Sequence, residues 1–191
     1  MSFAFSRRSF LKYTAVAAVA VAGASLFTGC KIDTSDSYNA LRTTPGELTV
    51  LQVTAAMGKY VEASKSYTAP DVTGTTIVFP FKITNGRANP IYVNPNNFKA
   101  TVLNAKDEVI AKYTAINGLT LDATLCDTNL KKGASVPGNI TLTLSAALEP
   151  GQSIVLTYCP DLQYNEYSLN WKVTVAKADT TDSGDQGSFN T

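Results

Sequence analysis

The sequence contains no histidine among its 191 residues. That absence excludes Ser-His-Asp and Cys-His nucleophilic sites, haem held by histidine, blue copper and the zinc sites that use histidine. Its three cysteines are too few for a Cys₄ metal site. The sequence also lacks a glycine-rich phosphate-binding loop. We therefore expect a protein that is not an enzyme and that uses no metal or cofactor.

Charged residues are scarce, at 16% of the chain, whereas hydrophobic residues make up 45%. This balance is typical of a packed domain rather than of a disordered chain. After Gly29 the sequence has 13 basic and 15 acidic residues, and 13 − 15 gives a net charge of −2. No basic stripe is present that could neutralise phosphates, so we expect no nucleic-acid partner.

The first 29 residues have the three parts of an export signal. Arg7, Arg8 and Lys12 form a basic start, an apolar stretch runs over 13–27, and the small residues Thr28 and Gly29 precede Cys30. The segment 13–29 has 17 residues, which is at the lower limit for crossing a bilayer. A permanent transmembrane anchor is therefore the alternative to a cleaved signal.

The segment "SRRSFLK" resembles the twin-arginine translocation signal, whose pattern is Ser/Thr-Arg-Arg-x-Phe-Leu-Lys. The matching residues are Ser6, Arg7, Arg8, Phe10, Leu11 and Lys12. The resemblance implies export of a domain that has already folded in the cytoplasm. The alternative is the basic start of a general secretory signal.

The segment "LFTGC" resembles a lipobox, the site at which bacterial prolipoproteins are lipidated and cleaved. Gly29 fits the position before the cut, and the resemblance implies that Cys30 becomes the first mature residue and carries the diacylglycerol and fatty acyl chains, such as palmitate. The family usually has leucine three positions before the cysteine, where this chain has Phe27. Two acyl chains are enough for stable attachment. The resemblance implies a lipoprotein anchored at the extracytoplasmic face of the cell membrane.

The segment "KIDTSDSYNALRTTPGE" is polar and has no apolar period. We predict four regions: a signal peptide at 1–29, the lipidated cysteine with a flexible linker at 30–47, a β-sandwich at 48–176, and a polar tail at 177–191.

Between the linker and the tail, apolar residues recur with a period of two, which is typical of half-buried strands. Turn signals such as Asn85-Gly86 and Pro150-Gly151 separate the strands, and Asn117-Gly118 predicts a type I′ hairpin. Pro80 interrupts a strand and is expected at an edge or a bulge. Seven or eight such strands without a helical pattern predict an all-β, antiparallel Ig-like sandwich. The predicted strands cover 48–54, 76–83, 98–104, 108–114, 139–145, 153–158 and 167–175.

Cys126 and Cys159 lie 33 positions apart in a chain that we expect to be exported. A disulfide between them is the first prediction, and two buried free thiols are the alternative. True immunoglobulin domains have tryptophan between their two cysteines, whereas Trp171 follows both here.

The stretch from Phe79 to Ile110 and the stretch "LKKGASVPGNITLTL" resemble bacterial lipid-anchored proteins with an Ig-like domain of unknown function. That family is related to the mycobacterial secreted immunogenic sandwich proteins. The residues that match its turn-and-strand landmarks are Asn85, Pro95, Phe98, Gly133, Gly138 and Ile140. The family has no agreed catalytic residues, so the resemblance implies none here.

Other polar residues have a structural interpretation and a functional one. Asp107 and Glu108 predict a solvated turn, with acid–base catalysis as the alternative. Asn94, Asn96 and Asn97 predict a loop, with calcium binding as the alternative. Lys131-Lys132 predicts an exposed turn. The tyrosines suggest half-buried strand positions or a platform for carbohydrate or peptide.

Two functions remain open. The first is a non-catalytic binding module, lipid-anchored to the membrane and displayed at the cell surface, which engages an unknown protein or glycan. The second is an accessory or chaperone-like partner of a twin-arginine-exported enzyme.

Overall fold

The segments with a period of two form the long strands of two facing sheets. The computed structural model describes residues 39–164 and 167–176, and within those ranges it contains strands, turns and two short 3₁₀ turns at Pro95–Asn97 and Leu162–Tyr164. The strands are β1 Asn39–Arg42, β2 Gly46–Val50, β3 Val53–Met57, β4 Lys59–Val61, β5 Ser66–Thr68, β6 Thr76–Asn85, β7 Ile91–Val93, β8 Phe98–Leu103, β9 Val109–Thr114, β10 Leu119–Leu121, β11 Thr128–Leu130, β12 Ser135–Thr143, β13 Ser153–Tyr158 and β14 Ser168–Thr174.

One five-stranded sheet has the order β1-β14-β13-β8-β9, and the other has the order β10-β12-β6-β3-β2. The order β3-β6-β12-β10 corresponds to strands A-B-E-D of immunoglobulin domains, and β8-β13-β14 corresponds to C-F-G. All pairs within the sheets are antiparallel except that of β1 with β14. The predicted all-β, Ig-like antiparallel sandwich is confirmed. Two small antiparallel pairs, the β4–β5 hairpin and the pair of β7 with β11, are added to it.

The alternating residues face the core as the sequence predicts. Ile77, Phe79 and Ile83 on β6 are fully buried, and Phe81 is nearly so. The same holds on the other long strands for Ile140, Leu142, Leu169 and Trp171. Their neighbours in sequence point outward because successive residues of a strand face opposite sides of the sheet.

An aromatic cluster joins the two sheets at the centre of the core. The ring of Phe81 on β6 makes edge contacts with Phe98, Tyr158 and Trp171, at centroid distances of 5.6, 5.9 and 5.2 Å. The Trp171 Nε1 donates a hydrogen bond of 2.9 Å to the Gly46 carbonyl on the opposite sheet. In antibody domains a disulfide links the strands that correspond to β6 and β13. Here ring packing occupies that position.

The sandwich begins earlier than the predicted boundary at residue 48. The polar segment 39–42 forms β1, which pairs with β14 in register from Asn39 opposite Ser168 to Arg42 opposite Trp171. Asn170 Nδ2 also donates to the Ala40 carbonyl at 3.1 Å. The predicted linker over 30–47 is therefore wrong for residues 39–47, because an edge strand can be held by its neighbour without any apolar alternation of its own.

Three further predictions, of a strand, a hairpin turn and the place of a proline, are also corrected. The predicted strand at 48–54 is a hairpin of β2 and β3, whose two-residue turn has Leu51 and Gln52 at positive φ of 49° and 60°. Asn117-Gly118 is not a type I′ hairpin, because only Gly118 of that pair has positive φ and the segment connects β9 to β10 in the other sheet. Pro80 lies in β6, an interior strand with no shift in register. It is tolerated because β3 ends beside it, at Met57.

Candidate functional site

A groove of about 700 Å³ lies on the outer face of the second sheet, beneath the β4–β5 hairpin. Residues of β2, β4, β5, β6 and β12 line it, together with the segment that follows β10. A smaller cavity of about 280 Å³ lies beside the ion pair of Arg87 and Asp161. The groove is the better candidate because regular strands, rather than loops, position its polar side chains.

The register of the sheet builds the floor of the groove. Glu47 pairs with Ala56, Ala56 with Lys82, and Lys82 with Pro137, so these four residues form one row across β2, β3, β6 and β12. Ala56 is 97% buried and does not line the groove, so Glu47, Lys82 and Pro137 form the exposed part of this row. With strands about 4.8 Å apart, the row spans about 14 Å.

The β4–β5 hairpin forms one wall, and Gly58 sets its direction. At φ +105° this residue turns the chain out of β3, and its N–H donates to the Pro80 carbonyl at 2.8 Å. A Cβ at this position would lie 2.5 Å from the Thr68 carbonyl oxygen and 2.8 Å from the Pro45 Cβ. Only glycine fits this junction without displacing the hairpin.

Two tyrosines face each other on this hairpin. Tyr60 pairs with Tyr67 across β4 and β5, and their ring centroids are 5.2 Å apart with a tilt of 59°. Tyr60 is 47% exposed and therefore available to a ligand. Tyr67 Oη donates a 2.7 Å hydrogen bond to Glu47 Oε1 on the floor. Burial, the hydrogen bond to Glu47 and the charge of that carboxylate together raise the pKa of Tyr67 to about 12. Tyr67 is thus a neutral hydrogen-bond donor at physiological pH.

Asp122 and Asn139 form the other wall. One oxygen of Asp122, Oδ2, accepts 2.9 Å hydrogen bonds from both the backbone N–H and the side-chain amide of Asn139. The carboxylate is therefore fixed in orientation. The two ion pairs of the described residues are Arg87–Asp161 and Lys172–Asp107. Lys59 and Lys82, which line the groove, thus form no ion pair with a described carboxylate.

The groove therefore presents aromatic ring faces, two carboxylates, two ammonium groups and an amide within one concave surface. Such a set can donate and accept hydrogen bonds and can stack against a flat ligand face. Among the described residues, no three Cys, Asp or Glu side chains cluster in a way that could hold a metal ion. The arrangement is suited to binding.

The predicted export and lipidation residues lie outside the described ranges. These are Ser6, Arg7, Arg8, Phe10, Leu11, Lys12, Gly29 and Cys30. No helix within 39–164 or 167–176 is long and apolar enough to cross a membrane.

The predicted disulfide between Cys126 and Cys159 is absent, and both residues are free thiols. Cys126 precedes β11, and its Sγ lies 3.7 Å from Asp127 Oδ2. Cys159 follows β13 in the first sheet, where Asn97 binds its backbone N–H and its carbonyl. The two residues therefore have separate surroundings. Burial is the first cause of a raised pKa at both thiols.

The asparagine cluster is structural. Asn94 Oδ1 accepts from the Asn96 N–H, Asn97 Oδ1 accepts from the Asn94 N–H, and Asn97 Nδ2 donates to the Cys159 carbonyl. These bonds cap the 3₁₀ turn and join it to β13. The alternative of calcium binding gains no support, because the side-chain oxygens of Asn94 and Asn97 already accept backbone hydrogen bonds.

Asp107 and Glu108 form the turn between β8 and β9. Asp107 pairs with Lys172, and Glu108 Oε2 accepts from Asn104 Nδ2 at 2.7 Å. Lys131 and Lys132 are exposed in the turn that follows β11. Neither pair lies in the groove.

The groove residues were not singled out by the sequence. The segment "GKYVEASKSYT" at 58–68 contains two three-residue strands, too short to show a period. The signal that could have indicated the site is Gly58 followed by two triplets that are each centred on a tyrosine, Lys59–Val61 and Ser66–Thr68.

Comparisons with known proteins identify no family. No family model matches the chain, and no curated protein matches it. Among solved structures, the yjhA protein of Bacillus subtilis is 11% identical, with 71% of this chain and 98% of that chain covered and a TM-score of 0.41.

Two further solved structures have the same TM-score of 0.41. The ycdA protein of Bacillus subtilis, named as a candidate lipoprotein, is 14% identical, with 69% of this chain and 39% of that chain covered. An uncharacterised β-sandwich protein of Clostridium difficile 630 is 9% identical, with 70% and 93% covered. The predicted family resemblance thus stays a prediction.

Proposed function

We propose that this protein is a lipid-anchored, extracytoplasmic binding module without catalytic activity, and that the groove beneath the β4–β5 hairpin is its binding site. The observation that carries the proposal is the convergence of Glu47, Tyr60, Lys82 and Asp122 on one concave surface. Binding sites are expected where a few polar groups converge in a preformed concavity.

The geometry of the groove supports binding because its two carboxylates are held in place before any ligand arrives. Tyr67 fixes Glu47, and Asn139 fixes Asp122. A preorganised surface loses less conformational freedom on binding than a mobile one. The paired strands beneath it supply the rigid support.

The resemblance of "SRRSFLK" to a twin-arginine signal and of "LFTGC" to a lipobox supports the proposed export and anchoring. If Cys30 carries the lipid, only eight residues, 31–38, separate it from Asn39 in β1. A flexible chain of that length spans about 15 Å on average. The module would then be held close to the outer face of the membrane.

Photo-crosslinking in intact cells tests the binding role. A benzophenone amino acid replaces Tyr60 in the groove, and in a control chain it replaces Tyr92, which is 54% exposed on β7. Benzophenone inserts into C–H bonds, so it captures protein and glycan alike. We expect adducts from position 60 that are absent from position 92.

Identical adducts from both positions, or none from position 60, would contradict the proposal. An exported enzyme captured in stoichiometric amount would favour the accessory-subunit alternative.

Two variants of the leader test the anchoring. We expect Arg7→Lys with Arg8→Lys to leave precursor in the cytoplasm, because the twin-arginine pathway distinguishes arginine from lysine. Cys30→Ala is expected to abolish labelling by a fatty-acid analogue and partitioning into detergent. Normal export of the double-lysine variant would contradict the assignment to the twin-arginine pathway. Lipid labelling of the Cys30→Ala variant would contradict Cys30 as the lipidated residue.

A further inference from the structure

We propose that the groove binds a neutral carbohydrate chain. The inference rests on the proposed function, in which this groove is the binding site, and it specifies the chemical class of the ligand. Four features of the groove support it: its direction across the strands, its exposed aromatic wall, the balance of its charges and the small residues of its floor.

The direction of the groove favours a ligand that does not form backbone hydrogen bonds with a strand of the protein. The floor crosses β2, β3, β6 and β12, which pair with one another in one sheet, and the Glu47 carbonyl on the edge strand β2 accepts a 3.0 Å hydrogen bond from Arg42 Nη1. Recognition of an extended peptide by strand addition uses free backbone groups along one strand edge. A ligand in this groove instead meets side chains, which suits a polymer recognised through its hydroxyl groups.

The aromatic wall supplies a flat apolar surface at the rim. Tyr60 is held against Tyr67, and Tyr67 is itself bonded to Glu47. A tyrosine ring can stack on the C–H face of a sugar ring while its hydroxyl stays in water. Tyr60 contributes this surface at small entropic cost, because only two side-chain torsions are to be fixed.

The charges favour a neutral ligand. Two carboxylates, Glu47 and Asp122, stand beside two ammonium groups, Lys59 and Lys82, so the four charges sum to zero. A polyanion would meet the two carboxylates, and a polycation would meet the two lysines. Sugar hydroxyls both donate and accept hydrogen bonds, so they can pair with either kind of group.

The floor also contains small residues, which suits a sugar chain. Pro80, Pro137 and Gly138 line the groove beside Lys82, and their side chains are short or absent. A peptide ligand depends on pockets that bury individual anchor side chains. A row of flat rings needs a floor of short side chains with hydrogen-bonding groups beside it, which Lys82 and Asn139 provide.

A printed array of neutral and acidic oligosaccharides tests this inference, with the full chain purified in detergent. We expect binding to neutral glycans. We expect Tyr60→Ala to weaken the affinity about tenfold, which corresponds to about 1.4 kcal/mol, and Tyr60→Phe to retain it within about twofold. Lys82→Gln is expected to weaken binding. Tyr92→Ala changes a tyrosine of similar exposure outside the groove, 54% against 47% for Tyr60, and is expected to have no effect.

If Tyr60→Ala and Lys82→Gln leave the affinity for glycan unchanged, the groove is not the glycan site. Binding to acidic glycans alone would overturn the argument from charge. If no glycan binds while the crosslinker at position 60 still captures a protein, the carbohydrate inference fails and the proposed binding function stands.

Discussion

Replacing Asn85 with alanine is expected to destabilise the fold strongly, because this side chain joins three parts of the chain. Asn85 is completely buried at the end of β6. Its Nδ2 donates to the carbonyls of Leu130 and Asn89, each at 2.9 Å, and its Oδ1 accepts from the Arg87 N–H at 2.8 Å. Alanine removes all three bonds.

The magnitude follows from the burial of each partner. The bond to the Leu130 carbonyl is buried, so losing it leaves an acceptor without a donor at a cost of about 1–3 kcal/mol. The other two bonds are partly buried, and each is worth about 1 kcal/mol because water can replace the lost partner. We therefore expect the free energy of unfolding to fall by about 3–5 kcal/mol.

Urea denaturation followed by the fluorescence of Trp171, the one tryptophan of the chain, measures this loss. The slope of the transition should be unchanged, so that the midpoint alone reports stability. Asn89→Ala is the matched control, since Asn89 contributes its backbone carbonyl to Asn85 and its side chain is exposed. A loss below about 1 kcal/mol for Asn85→Ala, or an equal loss in the control, would refute the reasoning.

Three further predictions concern the groove and the core. Gly58→Ala should lower the free energy of unfolding by about 1–3 kcal/mol through backbone strain alone and should displace the β4–β5 hairpin. Thermal unfolding measures the first effect, and glycan binding measures the second. Gly74→Ala is the control and should be nearly neutral, because a Cβ there has no neighbour nearer than 3.8 Å. Absorbance titration should show Tyr67 ionising near its raised pKa of about 12, and Glu47→Gln should lower that pKa. Because the folded state holds this proton more tightly, the contribution to stability should be present below about pH 10 and be lost as pH rises through about 12. Trp171→Phe should cost about 2 kcal/mol by circular dichroism, since it removes the bond to the Gly46 carbonyl and reduces core volume; no measurable loss would contradict the role of this bond.

The long strands could be predicted from the sequence because alternation alone specifies them. β6, β13 and β14 were found at nearly their observed bounds, since each needs one buried face. The short strands could not be found in this way. β1 consists of four residues of mixed polarity, and β4 and β5 have three residues each, so tertiary contacts rather than local pattern hold them.

The candidate site was not predictable from residue types. Glu47, Tyr60, Lys82 and Asp122 come from separate segments. The register of the sheet places Glu47 and Lys82 in one row, the β4–β5 hairpin adds Tyr60, and Asp122 follows β10. A slip of one residue in β6 would turn Lys82 into the core and remove it from the groove. The thiols illustrate the same limit, because the even pair of cysteines suggested a disulfide and their separate surroundings exclude it.

The parallel pairing of β1 with β14 has a mechanical consequence. Asn39 lies opposite Ser168 at the start of β14, and β1 runs from there alongside its neighbour to Arg42. Tension applied at Asn39 along the axis of this strand would load its hydrogen bonds in shear, all together, rather than opening them one after another. If Cys30 carries the lipid, as proposed, β1 is the described strand nearest to it in the sequence, and this pairing would resist a force that pulls the sandwich apart.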